Sequence, residues 1–516
     1  MSWTTVPVYT EEKEQMARKR KPGAEHEKEP AAPEKLQKKN PPSGIPGAIG
    51  KSVREDRCVQ ILIGLTIIGA IIRFYHLDWN SIWLDEAFTY NAAKGSLLDI
   101  WNTMEVGDFH PPLFHWIEHF MLTFGHSEVV LRFIPAVLGI CTIPLFFILG
   151  KELADERIGV LSAALLTFSP FHLFYSQEAY SYSAVLFVFT IVLYCYLRAL
   201  RTRERTFWLL TGAFSALAFW IHFYTLIPVI FIYIHAFLAA LPERSKGLEA
   251  FRNILYSGIA LAVLISPLIP IVVQRYFTLT ARPPTYGVLG PALISETFIR
   301  FSAFTIPVAV VFILLFAAGT LYLYRLNKPI FWLWLMLIIL PVLFSVAISS
   351  RMTMNPRYLI FLLAVFYPGI ACTYLWARKY SARQWIVFAF IAAFALVNAP
   401  TLVSYYQGYS KEDWRGFAGA MKNNTLPGDI VVLVPGYLKM PFDYYYSNAT
   451  DGTTELGAAS VSELEAITGM KGEHRIFYIV TPDITAANPE GDVTRWIQEK
   501  AAFAGDYTNI YVFISQ

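Results

Sequence analysis

Residues 83–90 read Trp83-Leu84-Asp85-Glu86-Ala87-Phe88-Thr89-Tyr90, and residues 108–112 read Asp108-Phe109-His110-Pro111-Pro112. Both follow the first long apolar segment of the chain, 57–76. The first sets two adjacent carboxylates inside an otherwise apolar, amphipathic stretch; the second adds a carboxylate and a histidine. Charge beside a bilayer is costly where it faces lipid and is kept where it lines a site. The fold question is therefore how often the chain crosses the membrane, and on which side this loop lies.

Of the 516 residues, 55% are hydrophobic, 16% aromatic and only 16% charged. That is too apolar for an ordinary soluble protein, and the apolar residues come in blocks of about 20, as spanning helices require. A net charge of +3 says less than its distribution. Cys58, Cys141, Cys195 and Cys372 lie in or beside apolar segments without metal-like spacing and read as packing residues. Residues 1–56 carry Lys19-Arg20-Lys21, Lys38-Lys39 and many Glu, Pro and Ala, with no apolar periodicity. Such a segment buries too little surface to offset its ordering entropy, so it reads as a disordered, basic cytoplasmic tail rather than a nucleic-acid-binding arm. No short apolar run precedes its basic cluster, which argues against a cleaved signal peptide.

Apolar segments run at 57–76, 129–150, 157–173, 181–198, 206–221, 222–240, 253–273, 300–323, 330–349, 357–376 and 384–400, with a shorter one at 111–124. Basic clusters fall in the tail, at Lys151 to Arg157, Arg198 to Arg205, Arg244 to Arg252, Arg325 to Lys328 and Arg378 to Arg383. The positive-inside rule puts all of them in the cytoplasm. Parity then keeps 111–124 from crossing: it opens on His110-Pro111-Pro112, contains His115, Glu118 and His119, and reads as an interfacial helix with proline in its first turn. The expected architecture has about eleven transmembrane helices, thirteen at most. It puts 57–400 in the membrane, and 77–128 and 401–516 on the external side. Within 401–516, apolar runs Ile430 to Val434, Arg475 to Val480 and Asn509 to Ile514 alternate with amphipathic stretches at 411–424, 459–469 and 491–503, the pattern of a small α/β domain. The sequons Asn423-Asn424-Thr425 and Asn448-Ala449-Thr450 fit an exposed surface.

Under this topology the outer ends of the spans collect polar residues: Asp85, Glu86, Asp108, His110, Arg132, Gln177, Glu178, Tyr182, His222, Arg275, Arg282 and Arg357. A lone arginine at a helix end ordinarily snorkels to headgroups, which is the reading for Arg275 and Arg282. Arg132 and Arg357 lie on apolar helices beside proline-marked turns and are the stronger site candidates. Adjacent helical residues point about 100° apart, so Asp85 and Glu86 cannot address one atom equally. Asp85 is assigned to chemistry and Glu86 to its support, with the reverse assignment open.

Five stretches, in this order and on one membrane side, resemble the protein O-mannosyltransferase and aminoarabinose-transferase superfamily of GT-C-fold glycosyltransferases. They are Asp85-Glu86, His110-Pro111-Pro112-Leu113, Leu131-Arg132-Phe133-Ile134-Pro135-Ala136, Tyr175-Ser176-Gln177-Glu178-Ala179 and Pro356-Arg357-Tyr358-Leu359. Lys411-Glu412-Asp413-Trp414-Arg415-Gly416 is similar to the start of the external domain in many prokaryotic members. The resemblance covers most of the chain in architecture and about 77–200 in motif detail. It implies a cell-membrane enzyme that moves a sugar from a polyprenyl-phosphate donor to a hydroxyl or amine of a protein, lipid or glycan, with inversion. It implies Asp85 as the base, Glu86 beside it, and Arg132 and Arg357 at the lipid phosphate. From their place at the outer span ends, Asp108, His110, Gln177, Glu178, Tyr182 and His222 are the candidate substrate contacts, with turn capping the alternative for Gln177 and Glu178 and core packing the alternative for His222. One departure is Tyr180, where many relatives carry a basic residue after Gln-Glu-Ala. A divalent ion near Asp85, Glu86, Asp108 or His110 is conceivable, although their spacing is no compact ligand motif. The competing class is a membrane transporter; the chain lacks an inverted repeat and matched broken spans, which argues against it.

Overall fold

The computed structural model describes residues 57–516 apart from 107–109, 242–246, 280–283, 285, 379–384, 409–410, 447–451, 471 and 516. The expected tail 1–56, Asp108, Arg282 and the second sequon lie outside the described residues. All eleven apolar segments are helical. Among the described residues, nine helices are long and apolar enough to cross a membrane, and a bent pair makes ten. Arg205–Ile221 has 17 residues, about 25 Å of helix, and is the shortest of the set.

Sequence sets the breaks. The bent pair is Glu156–Thr167 and Pro170–Ser176, at 64°. Pro170 cannot donate a backbone hydrogen bond, and Ser169 restarts the helix by accepting from the His172 N–H at 3.2 Å. Asn327 caps Lys328–Ile348 and Asn355 caps the 3-10 turn Pro356–Leu362, each accepting from a first-turn N–H at 3.2 Å. Pro356 at that start fixes where Arg357 leaves the backbone.

Among the unbroken spans Tyr182–Thr202 and Pro356–Ala377 are the most buried, 72% and 89%, and the bent pair 156–176 is almost wholly buried beside them, so the others pack around these three. The helix Ile306–Leu326 crosses Leu363–Ala371 through Gly319 and Gly369. A Cβ on Gly319 would overlap the Gly369 carbonyl oxygen and sit 2.9 Å from the Thr373 nitrogen, a contact only small residues permit. At one end of the bundle, Asp155 pairs with Arg378 at 2.7 Å and the Glu152 carbonyl accepts from Arg201 at 2.7 Å. At the other end gather the loops after the odd-numbered spans: the Val288 N–H donates to the Met354 carbonyl at 2.8 Å and the Tyr224 hydroxyl to the Thr353 carbonyl at 2.9 Å. Helices Leu84–Ala93, Leu97–Val106 and Leu113–Met121 form the first of these loops. Pro112 is the cap of Leu113–Met121, whose His115 and Glu118 are buried rather than turned to headgroups.

The last span, Trp385–Gln407, runs past residue 400, so the membrane region ends nearer 407. Beyond it stands a five-stranded sheet of β1 (Ile430–Val434), β2 (Thr454–Gly457), β3 (Ile476–Val480), β4 (Ala501–Tyr507) and β5 (Ile510–Ser515), in the order β2-β1-β3-β5-β4. β1 pairs in parallel with β2 and β3; β5 is antiparallel to β3 and β4. Alternation along β1 sends Val431 and Leu433 against Trp414, Phe417 and Phe442, and Val432 and Val434 against Leu464, Val493 and Ile497. The amphipathic stretch expected at 491–503 is helical only over Asp492–Lys500, after which β4 begins.

Gly319→Val should lower the thermal midpoint of the detergent-solubilised protein, by the roughly 1–3 kcal/mol typical of overpacking. Gly258→Ala, on a helix with nothing within 4 Å of a new Cβ, should be neutral or slightly stabilising. Equal midpoints for the two variants would contradict the tight crossing.

Candidate active site

The helix Leu84–Ala93 begins beside the end of the first span and places its two acids on different faces. Glu86 turns inward and is fully buried. Its two oxygens accept from Arg132 Nε and Nη2, both at 2.7 Å, and it also accepts from the Ala179 N–H at 2.8 Å. Burial pushes the Glu86 carboxyl up, but Arg132, Lys411 and the backbone donor outweigh it and hold the group below its ordinary value. Arg132 Nη1 donates to the carbonyls of Leu77 and Asn80 at 2.8 and 2.9 Å, and Nη2 to that of Ser81 at 3.2 Å. Every guanidinium N–H is thus spent on protein. Two expectations are corrected here: Arg132 has no donor left for a lipid phosphate, and Glu86 has no oxygen turned to a reacting atom. Together they fasten the first loop to the second span.

Asp85 turns the other way. Its Oδ2 lies 2.9 Å from Arg357 Nη1, and the two side chains are 20% and 14% exposed, against 0% and 2% for Glu86 and Arg132. The Arg357 guanidinium lies over the rings of Trp83, Tyr182 and Tyr358, at 5.3, 5.7 and 5.7 Å from their centroids. His222 stands 5.7 Å from both Tyr182 and Tyr358 and 5.8 Å from His110, ring to ring. His110 in turn meets the Tyr180 hydroxyl at 2.6 Å. Burial, with His110 and Arg357 nearby, pushes His222 well below its ordinary value, which favours the neutral ring. Among the described residues, Arg357 Nε, the Tyr182 hydroxyl, His222 Nε2 and Trp83 Nε1 are buried and find no hydrogen-bond partner. Buried polar atoms are nearly always satisfied, so this concentration around one ion pair makes it the candidate ligand-facing surface.

The remaining candidates divide. Asp85, His110, Tyr182, His222 and Arg357 come together. Gln177 does not: its amide donates to the carbonyls of Ile72, Arg73 and Tyr75 at 3.4, 3.0 and 2.9 Å, closing the end of the first span. Glu178 does not join them either: it is buried and paired with Lys411 Nζ at 2.7 Å. Among the described residues no three His, Cys, Asp or Glu gather closely enough to share an ion, and Arg357 already neutralises Asp85. Asp108, one of the four residues sequence offered to a divalent ion, lies outside the described residues.

Lys411 was singled out only as part of a motif, yet its ammonium sits 4.6 Å from the Trp83 ring centroid and 5.0 Å from that of Phe174. Glu412 and Asp483 of the C-terminal domain also feel the Asp85 charge, and burial pushes both carboxyls up. Their only sequence signal was acidity in a domain with no recognisable constellation.

The architecture is the GT-C membrane glycosyltransferase fold. Residues 109–271 match the dolichyl-phosphate-mannose-protein mannosyltransferase family, a span that holds Arg132, Gln177 and His222 but neither Asp85 nor Arg357. The archaeal oligosaccharyltransferase AglB from Archaeoglobus fulgidus, in complex with an inhibitory peptide and a dolichol-phosphate, superposes with a TM-score of 0.52 at 13% identity, covering 89% of this chain and 74% of that one. ArnT from Cupriavidus metallidurans bound to undecaprenyl phosphate gives 0.52 at 14% identity, over 88% of this chain and 97% of its own. Its apo state gives 0.54 at 13%, over 91% and 98%. In sequence, an uncharacterized protein of Aquifex aeolicus (strain VF5) is 31% identical over 150 residues, 27% of this chain and 30% of that protein's length.

Arg132→Met should destabilise the protein by roughly 3–5 kcal/mol, because buried Glu86 loses its guanidinium and keeps only Lys411 at 3.9 Å and the Ala179 N–H, and adding Glu86→Gln should recover part of the loss. Thermal unfolding of the two variants measures this; a neutral Arg132→Met would restore Arg132 as a ligand-facing residue. Glu178 supplies a pH test. Burial is the largest effect on it, Lys411 opposes and Glu86 reinforces, and its carboxyl is pushed up to about 7. Between its ordinary 4.5 and about 7 the folded chain holds a proton that the unfolded chain has released. Its contribution to stability therefore falls as pH rises through that window. Glu178→Gln should flatten this part of the stability–pH curve, and an unchanged slope would contradict it.

Proposed function

We propose that the protein transfers a sugar from a polyprenyl-phosphate donor to a hydroxyl or amine of a protein, lipid or glycan acceptor, at the external face of the cell membrane, with inversion. Family and fold neighbours support a polyprenyl-phosphate-linked glycosyltransferase of the GT-C type. The observation that carries the finer reading is the half-open Asp85–Arg357 pair at 2.9 Å, ringed by unsatisfied buried polar atoms.

A sugar phosphate ester already carries a good leaving group, so no acid need protonate it. What remains is to take the acceptor's proton, align the acceptor with C1, and match the charge left on phosphate. The donor phosphate competes with Asp85 for Arg357, whose permanent charge and forked donors suit phosphate oxygens. That exchange frees Asp85 as a carboxylate within about 3 Å of the acceptor, where it serves as general base. The acceptor oxygen or nitrogen then bonds to C1 from the face opposite phosphate. The C1–O bond breaks with its electron pair leaving on polyprenyl phosphate, held by Arg357, and the proton ends on Asp85. Tyr182 and neutral His222 offer a hydroxyl and a ring nitrogen to the sugar or phosphate oxygens.

Asp85→Asn should reduce turnover by about 10²–10⁴-fold while donor binding survives. Arg357→Ala should weaken donor binding by roughly tenfold or more, the worth of a hydrogen bond to a charged group. Purified protein given labelled polyprenyl-phosphate sugars, with transfer and lipid binding read separately, tests both. Full turnover by Asp85→Asn would sink the base assignment, and unchanged lipid affinity in Arg357→Ala would sink the phosphate contact.

A further inference from the structure

The motif Lys411-Glu412-Asp413-Trp414-Arg415-Gly416 plays no part in the mechanism above, yet it lies against the loop that carries Asp85. Residues 77–83 form no helix or strand, so their backbone groups need partners from elsewhere. Arg132 supplies them on the membrane side, through the carbonyls of Leu77, Asn80 and Ser81. The C-terminal domain supplies them on the opposite side. Arg415 Nη2 donates to the Asp78 carbonyl and to Glu128 Oε1, each at 2.7 Å. The Ser81 hydroxyl donates to Asp413 Oδ1 at 3.0 Å and accepts from the Arg415 N–H at 3.2 Å. The Tyr445 hydroxyl accepts from the Ile82 N–H at 2.8 Å and donates to Glu128 Oε1 at 2.7 Å. Lys411, in its ion pair with Glu178, is held over the Trp83 indole.

These contacts touch residues 78, 81, 82 and 83, four of the seven positions 77–83 leading into the helix whose second residue is Asp85. None of them touches Asp85 itself. A group that acts this way sets where the carboxylate stands without contacting substrate. We infer that the C-terminal domain is a positioning element of the reaction, in which Arg415, with Asp413 and Lys411, fixes the 78–83 segment and through it the Asp85 carboxylate. The role assigned to Asp85 rests on the sugar-transfer reading; the mechanical hold does not.

The chemistry of the contacts is specific. Arg415 bridges a backbone carbonyl and a carboxylate, and Glu128 begins the second span. One guanidinium therefore ties the C-terminal domain to both the first loop and the span that carries Arg132. Lysine keeps the charge of arginine but not its fork, so it restores part of the geometry.

The test uses full-length protein in detergent or nanodiscs. Arg415→Gln, Arg415→Lys and Lys411→Met are compared with Lys439→Met, which removes an ion pair to Asp443 and Glu455 inside the same domain. Donor turnover is split into kcat and KM, and amide exchange is followed over 78–86 and over β1. We expect Arg415→Gln to lower kcat by about 10–100-fold with donor KM nearly unchanged, the cost of a small misplacement of a reacting group. Arg415→Lys should recover part of it and Lys439→Met should leave kcat as in the native protein. Exchange over 78–86 should speed up by about tenfold while β1 stays protected. Native kcat and native exchange over 78–86 in Arg415→Gln would overturn the inference. So would loss of protection in β1 together with 78–86, since that reports unfolding of the domain rather than release of the loop. If native protein transfers sugar from no polyprenyl-phosphate donor, the sugar-transfer reading fails, and exchange over 78–86 still decides whether the domain holds the loop.

Discussion

A carboxylate and a guanidinium removed from water dictate the arrangement of everything near them. Each ion costs several kcal/mol to bury, and their attraction offsets that only if the remaining lone pairs and protons are also satisfied. Glu86 and Arg132 meet this condition completely, with five acceptors around one guanidinium. Three of those acceptors are carbonyls of the first loop, so the loop must wrap around Arg132 for the pair to exist. The course of residues 77–83, and hence the start of the next helix, follows from neutralising one buried charge.

Helix geometry then gives the neighbouring acid a different fate. One residue earlier, Asp85 leaves the same helix about 100° away and reaches Arg357 at the opening rather than Arg132 in the interior. The two pairs have the same chemistry and opposite consequences. A saturated, dry pair has no vacancy for a ligand and serves structure. A pair with one contact, partial exposure and unsatisfied neighbours can exchange partners, and the low local dielectric strengthens whatever replaces them. The aromatic faces around Arg357 favour a guanidinium there whether or not Asp85 stays bound to it.

Much of the fold was legible because its signals are local. Hydropathy located all eleven helical segments, and the basic clusters together with parity kept Leu113–Met121 out of the crossing set. β1, β3 and β5 announced themselves as apolar runs because they are the interior strands of the sheet. β2 and β4 did not, since both are edge strands with few buried residues. The site was legible only in part. Arg132 and Arg357 look alike in sequence, each an arginine on an apolar helix near proline; what separates them is the number of acceptors within reach, which only the folded chain sets. Gln177 stood in a suggestive motif, but the motif is there to close the first span. Lys411 lies far along the chain from Trp83 and Glu178, and no periodicity connects them.

The distribution of freedom around Asp85 follows from these separate facts. Its backbone enters a helix whose N-terminal approach is held by Arg132 on one side and by Arg415 and Tyr445 on the other, so the carboxylate cannot move by displacement of that segment alone. Arg357 is built differently: Asn355 and Pro356 fix its backbone, while its side chain has one ionic contact, ring faces and an unsatisfied Nε. When an anion arrives, the cheaper response is for the guanidinium to swing within its aromatic surround while the carboxylate stays where the loop puts it. A fixed carboxylate facing a mobile cation is the order of rigidity that base catalysis asks for. On the proposed sugar-transfer reaction, the base must meet the acceptor at one distance, whereas the phosphate-binding group must first admit a lipid-linked donor and later release it.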